Sequence, residues 1–347
     1  MAVPKERVPT FCTMEEILPN LYRIEIPLPN TPLKFLNSYV IKGRGRNLVV
    51  DTGLNLEQCL AAMRSSLAGL GLDLRETDFF ITHGHADHFG LVPDLITGKS
   101  VVYCSAQDAY VFEPVHDNSV IWDSLKSFSI LNGFPEGKTR EAMERHPGYS
   151  YTGPAGRINV SFIKEGDTVC AGDYAFKCIE TPGHSKGHLC LYEQNQKILI
   201  AGDHILADIT PNISLWSSDE NPLRDYLGSL DKILGYNIEL VLPGHRSMIK
   251  EWRKRIDELK QHHSRRVGEI LAILEKGKLD AYQVASRMTW DMTYKTWGMF
   301  PPTQKLFATW EAIAHLKYLE EERLIKKIVI GGKYVFDLNP HVAGRKN

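Results

Sequence analysis

The stretch Thr82-His83-Gly84-His85-Ala86-Asp87-His88-Phe89-Gly90 directly follows the apolar run Phe79-Phe80-Ile81 and places three imidazoles and a carboxylate within six residues. In an extended segment, residues two apart project to the same side, so His83 and His85 can share one ion. Asp87 and His88 fall where the chain turns toward a helix, and adjacent side chains on a helical turn diverge. They aim away from the first pair, a pattern suited to two neighbouring metal ions. Imidazole and carboxylate donors suit Zn²⁺, Fe or Mn²⁺, and a site closed by water in place of a fourth protein ligand is catalytic in character. The competing reading is a solvated histidine-rich turn, because short motifs also arise by chance.

Completing ligands decide between these readings. Glu180-Thr181-Pro182-Gly183-His184, Leu199-Ile200-Ala201-Gly202-Asp203 and Val241-Leu242-Pro243-Gly244-His245 share one layout: an apolar run, a glycine, then a metal-competent side chain. Glycine lets the backbone turn sharply at a strand end and approach a ligand closely.

The His-x-His-x-Asp-His tetrad, followed in order by Gly-His, Gly-Asp and Pro-Gly-His, resembles the metallo-β-lactamase fold superfamily over roughly residues 20 to 250. Asp51-Thr52-Gly53, after Leu48-Val49-Val50, fits the family's early Asp-x-Gly element. The resemblance implies that His83, His85 and His184 hold one metal, that Asp87, His88 and His245 hold a second, and that Asp203 bridges them. Asp51 would orient a ligand without binding metal, and His188 is a candidate for the same role. Lys186 stands where many relatives have Pro. Superfamily β-lactamases with a Cys ligand carry it where this chain has Asp203, and many lack a His at the position of His88. The chain therefore resembles the glyoxalase II-like, lactonase-like and nuclease-like branches more closely, although glyoxalase II's glutathione-binding pattern is not recognisable. The implied fold is α/β, an αββα sandwich of two facing sheets with helices outside and metals at one sheet edge.

Composition agrees with a soluble, cytoplasmic enzyme: 43% hydrophobic and 24% charged residues over 347 positions can bury a large core. Residues 1 to 20 lack the apolar core of a signal peptide, and no run reaches membrane-helix length. The six cysteines (Cys12, Cys59, Cys104, Cys170, Cys178, Cys190) form no Cys-x-x-Cys pair and read as reduced and mostly buried. Strands are expected at Leu21 to Ile26, Phe35 to Ile41, Leu48 to Val50, Phe79 to Thr82, Val101 to Cys104, Ile158 to Ile163 and Tyr174 to Glu180. Leu189 to Tyr192 and Lys197 to Ile200 read as a hairpin. Helices are expected at Leu56 to Leu70 and about Asp87 to Ile96.

The sequence divides into a catalytic part, 1 to 250, and a C-terminal part, 251 to 347. Within the first, 113 to 157 reads as a helical insertion, with helices near Val120 to Leu131 and Glu136 to His146, of the kind that caps a cleft. Tyr149 and Tyr151, with His116 and His146 of the same standing, are the candidates for substrate contact, ordinary loop packing being the alternative. After 250, helical stretches at Glu251 to Glu275, Leu279 to Met288 and Thr303 to Leu324 precede two strands around Gly331-Gly332. This order resembles a winged-helix-like module. Charge divides at the same point, about −8 before Lys250 and about +7 from it onward, which sums to the −1 of the whole chain. The positive residues of Glu251 to Glu275 interleave with acids, as on a solvated helix face. His262 and His263 read as interface or surface residues. If the module serves packing or homodimerisation, Leu306, Trp310, Ile313 and Leu316 should be buried and the lysines dispersed. RNA capture instead requires a stripe of Lys326, Lys327 and Lys333.

Hydrolysis of a small ester, thioester or lactone by a hydroxide bridging two divalent ions, Zn first and Fe or Mn otherwise, is the leading reading. Asp87 and Asp203 would be the catalytic carboxylates. The alternative is phosphodiester cleavage of single-stranded RNA; a non-catalytic regulatory protein and an iron-dependent redox enzyme rank below it.

Overall fold

The computed structural model describes residues 13–29, 31–112, 118–149, 158–215, 219–291 and 294–340. They divide into two compact units, the first built from Met1–His116, Gly153–Pro211 and Gly235–Trp252, the second from Asp117–Thr152, Asn212–Leu234 and Arg253–Asn347.

In the first unit a seven-stranded sheet runs in chain order: β1 (Met14–Leu18), β2 (Leu21–Leu28), β3 (Lys34–Ile41), β4 (Asn47–Val50), β5 (Thr77–Phe80), β6 (Val102–Cys104) and β7 (Val160–Phe162). Its first four strands pair antiparallel and the rest join in parallel. Parallel neighbours need crossovers. Helix α1 (Glu57–Gly69) lies in the crossover from β4 to β5, and α2 (Ala86–Phe89) and α3 (Val92–Leu95) in that from β5 to β6. The second sheet contains β8 (Thr168–Ala171), β9 (Tyr174–Glu180), β10 (Leu189–Glu193), β11 (Ile198–Gly202) and β12 (Leu240–Pro243), in the order β12-β11-β10-β9-β8. Tyr39, Val50 and Phe80 of one sheet share a single buried cluster with Phe176, Leu191, Ile200 and Leu242 of the other, so the sheets face each other as expected. Each such Leu, Ile, Val or Phe taken out of water contributes about 1.5–3 kcal/mol.

The helix expected from Asp87 to Ile96 is broken in two. Leu91 donates its N–H to Gly53 O at 3.1 Å and not back along the helix. A Cβ at Gly90 would lie 2.5 Å from Ala86 O and 2.7 Å from Gly53 O, and Pro93 brings no N–H. This break lets the loop after β4 reach the histidine turn.

The second unit contains α4 (Asn118–Leu131), α5 (Glu136–Glu144), α6 (Pro222–Leu234), α7 (Trp252–Leu274, entering the unit at Arg253), α8 (Ala281–Ala285) and α9 (Pro302–Glu321). A hairpin of β13 (Ile325–Ile330) and β14 (Lys333–Leu338) completes it. Leu306, Trp310, Ile313 and Leu316 of α9 are at most 3% exposed. Trp310 donates its indole N–H to Ser129 Oγ of α4 at 3.0 Å, and Thr303 Oγ1 donates to Ala142 O of α5 at 3.0 Å. The inserted helices thus pack with the C-terminal ones. Helix α8 is shorter than the sequence suggests because Leu279 bridges to Phe336 of β14 and Asp280 starts the helix with a capping box to Gln283. Helix α6 has no counterpart in the sequence reading. Of the five described cysteines only Cys170 is exposed. No helix among the described residues is long and apolar enough to cross a membrane.

Candidate metal centre

Four loops carry the donor side chains, and each leaves the C-terminal end of a strand: His83 after β5, His184 after β9, Asp203 after β11 and His245 after β12. Backbone hydrogen bonds fasten these loops together. Leu189 N–H donates to Thr82 O at 2.8 Å, Gly244 N–H to Gly202 O at 2.7 Å, and Asn37 N–H to Gly244 O at 2.7 Å. A Cβ at Gly244 would lie 2.6 Å from Asp203 Oδ1 and 2.9 Å from His88 Cε1, so the approach of these loops requires glycine.

All seven side chains singled out as donors converge here. Three groups have their donor atoms mutually within 4.8 Å: His83, His85 and His184; His83, His88 and Asp203; and Asp87, His88 and His245. The first and third share no residue. Asp203 touches both, its Oδ2 lying 3.6 Å from His184 Nε2 and 3.5 Å from His245 Nε2, and its Oδ1 3.6 Å from His88 Nε2.

Neighbouring groups fix the ring orientations. Asp51, in the left-handed region at φ 59°, accepts from Thr82 N–H at 2.9 Å and Thr82 Oγ1 at 2.8 Å, and faces His88 Nδ1 at 2.8 Å. A carboxylate only accepts, so His88 Nδ1 donates and Nε2 is the nitrogen aimed at Asp203. His245 Nδ1 donates to Phe35 O at 2.8 Å in the same manner. His188 lies within reach of Thr181 Oγ1 (2.8 Å) and accepts the Asp203 backbone N–H through Nε2 at 3.2 Å, so it braces Asp203.

The electrostatics divide the imidazoles. Burial, then the neighbouring His88, holds His83 well below its ordinary pKa, and burial with His184 pushes His85 down to about 3. Burial also lowers His88, but the carboxylates of Asp51, Asp203 and Asp87 outweigh it and raise the ring well above its ordinary value. His245 is likewise raised, burial being outweighed by Asp203 and Asp87. Burial opposes the ionised form of Asp203, yet His245, His88 and His184 bring its pKa well below the ordinary value. The buried carboxylates thus attract positive charge into a site lined by imidazoles. His88 Nε2, His245 Nε2 and Asp203 Oδ1 are buried and make no hydrogen bond. Buried polar atoms ordinarily have partners, and a divalent cation would provide one. The donor set fits such an ion.

The sequence reading missed several supports. Asn37 Nδ2 donates to Pro243 O (3.0 Å) and Arg246 O (2.8 Å), and Tyr39 OH donates to Pro243 O (2.7 Å), tying β3 to the His245 loop. Asp108, also missed, is 5% exposed and joins the His83 and His184 loops. Burial raises its pKa, while the N–H groups of Gly84 and Gly187, which need an acceptor, favour the ionised form. Tyr149 and His146 belong to the second unit, where both rings pack on Trp122 at 5.1 and 5.0 Å. His263 is not a surface residue: it is 2% exposed and lies 3.1 Å from His315 Nε2 through Nδ1. Tyr151 and His116 lie outside the described residues.

Two facing sheets with clustered histidines and aspartates at their strand ends define a metallo-hydrolase type of fold. Residues 32–245 match the family model of the metallo-beta-lactamase superfamily, and the chain belongs to that superfamily. It is 25% identical over 313 residues to the probable metallo-hydrolase YqjP of Bacillus subtilis, covering 86% of this chain and 92% of that one. It is 28% identical over 221 residues to an acyl-coenzyme A thioesterase of Gallus gallus, covering 61% and 73%. Among solved structures, a metallo-beta-lactamase family protein of Thermus thermophilus superimposes with a TM-score of 0.74 at 29% identity, covering 93% of this chain and all of that one. This membership and the donor cluster make the chain a hydrolytic enzyme.

Proposed function

We propose that the chain is a dinuclear metal-dependent hydrolase of small esters or thioesters. The observation that carries this reading is the pair of donor groups with no residue in common, with the Asp203 carboxylate approaching both. His83, His85 and His184 would hold one divalent ion, Asp87, His88 and His245 the other, and Asp203 both. Zinc suits an imidazole-rich set best, with iron or manganese as alternatives. When bound, the ions would supply Lewis acidity, polarising a carbonyl and making water nucleophilic near neutral pH.

The chain's own residues arrange this chemistry. Asp203 would set the spacing of the two donor groups, and His188 keeps its backbone in place. Asp87 is only partly buried, its side chain 19% exposed, so it can face incoming water as well as an ion. Asp51 holds His88 with Nε2 free to ligate. No serine or cysteine nucleophile is needed.

Thioesters are favoured over phosphodiesters by two relatives, the Gallus gallus acyl-coenzyme A thioesterase and an atrochrysone carboxyl ACP thioesterase of Aspergillus fumigatus, 22% identical over 302 residues. Charge in the C-terminal hairpin agrees. Lys326 approaches Asp337 at 3.6 Å and Lys327 approaches Glu320 at 3.4 Å, so two lysines of the stripe that RNA capture requires are already paired with acids. Metal-loaded enzyme assayed against acyl-CoA thioesters, aryl esters, lactones and a phosphodiester should turn over a carboxylic ester or thioester, and a chelator should abolish that turnover. Phosphodiester cleavage alone would overturn the assignment.

A further inference from the structure

We propose that Asp108 is the positioning residue of the His83, His85 and His184 group, its carboxylate setting how tightly that group holds its ion; this rests on the two-ion reading above. Asp108 lies just beyond β6, where its backbone N–H donates to Ser105 Oγ at 3.1 Å. Its Oδ2 accepts from Gly84 N–H at 2.8 Å and from Ser185 Oγ at 2.7 Å, and its Oδ1 accepts from Gly187 N–H at 3.0 Å. Gly84 stands between His83 and His85, and Ser185 follows His184. One buried carboxylate thus holds the Gly84 and Gly187 backbone and the Ser185 hydroxyl, and links the two loops that carry the three imidazoles.

The packing shows how tightly the loops are drawn in. A Cβ at Gly187 would lie 2.0 Å from Ser105 Oγ and 2.8 Å from Asp108 Oδ1, so any larger residue here would displace the Ser105 hydroxyl and the Asp108 carboxylate. The Asp87, His88 and His245 group is oriented by other anchors, Asp51 and Phe35 O. Asp51 also reaches His83 through the Thr82 hydroxyl, at 3.0 Å from His83 Nδ1, but Asp108 contacts only the loops of the first group, so disturbing Asp108 should act chiefly on one ion.

Asp108→Asn tests this with little change of shape. The amide offers one accepting oxygen where the carboxylate offers two, and its NH₂ must face either Gly84 N–H or Gly187 N–H. Ser185 can turn its hydroxyl to accept, but a backbone N–H cannot, so one loop loses its hold. Zinc affinity and stoichiometry are to be measured by chelator competition in wild type, in Asp108→Asn, and in Asp108→Asn combined with His245→Ala or with His184→Ala. The expected result is roughly 10–100-fold weaker binding of one ion, the usual scale for losing a partner that orients ligands. That loss should persist when His245→Ala has disabled the other group and vanish when His184→Ala has disabled this one, a selectivity that general destabilisation would not produce. Ser185→Ala removes one donor without leaving a buried N–H unpaired and should weaken the same ion less. If Asp108→Asn does not fold, Ser185→Ala decides, and unchanged zinc binding in it overturns the proposal. Wild type that binds two ions while Asp108→Asn binds both unchanged, or loses both equally, overturns the role of Asp108 alone. Wild type that binds fewer than two overturns the dinuclear reading and this one with it.

Discussion

Replacing Asp51 by Asn should disable His88 as a ligand while leaving the shape of the site unchanged. Three donors converge on the Asp51 carboxylate: Thr82 N–H, Thr82 Oγ1–H and His88 Nδ1–H, at 2.9, 2.8 and 2.8 Å. With the amide oxygen kept on Thr82 N–H, the NH₂ points at His88 Nδ1. That nitrogen must then accept, which places the ring proton on Nε2, where a metal would bind. With the amide reversed, Thr82 N–H is left unpaired at a residue that is 0% exposed. Either arrangement forfeits a hydrogen bond to a charged group, about 1.5–3 kcal/mol, which corresponds to roughly a 10–100-fold loss of metal affinity. The assay is chelator competition with zinc, with circular dichroism to confirm folding. Folded Asp51→Asn that keeps both ions at wild-type affinity would refute the role given to Asp51 and the choice of Nε2 as the ligating atom.

Asp203→Ala should abolish hydrolysis in a protein that remains folded, since the Asp203 carboxylate approaches both donor groups; near-wild-type turnover in a metal-replete variant would sink the assignment. Acid should destabilise the second unit through its buried histidines. Burial brings His315 down to about 4 and, with the adjacent His315, His263 to about 2, against an unfolded value of 6.5. For depressed pKa values the stability is fully present above pH 6.5 and is lost as pH falls toward the folded values, about 3 kcal/mol for His315 by pH 4. Glu311, raised by burial despite Arg266, opposes part of this loss. The denaturation midpoint should fall from pH 7 to pH 4.5 by less in His315→Gln than in wild type, which separates this effect from acid release of metal; equal falls would contradict the assignment. Generic single-stranded RNA should show no tight, salt-sensitive binding, and micromolar binding that weakens steeply with added salt would restore the nuclease reading.

The donor set was legible because its signals are local. A tetrad of ligands and three glycine-preceded side chains at strand ends can be read without knowing the fold, and the structure brings all of them together. Asp108 was not legible for the opposite reason. Its partners lie 24, 77 and 79 residues away, and nothing in Ser105-Ala106-Gln107-Asp108 beyond a serine-led turn distinguishes it from an ordinary loop. Asn37 and Tyr39 reach the His245 loop across more than 200 residues and look like members of a strand. Helix α6 was missed although its buried positions, Leu223, Tyr226, Leu230 and Ile233, repeat at three- and four-residue steps. The break at Gly90 was missed because the diverted Leu91 N–H depends on Gly53, far earlier in the chain. Packing of the inserted helices against α9 likewise rests on pairs such as Trp310 and Ser129, 181 residues apart.

Elemental analysis of purified, metal-replete protein tests the dinuclear assignment most directly. On the proposed assignment, two groups without a common residue, both approached by Asp203, should bind close to two divalent ions per chain. One ion at full occupancy with the second group empty, under conditions of excess metal, would contradict it.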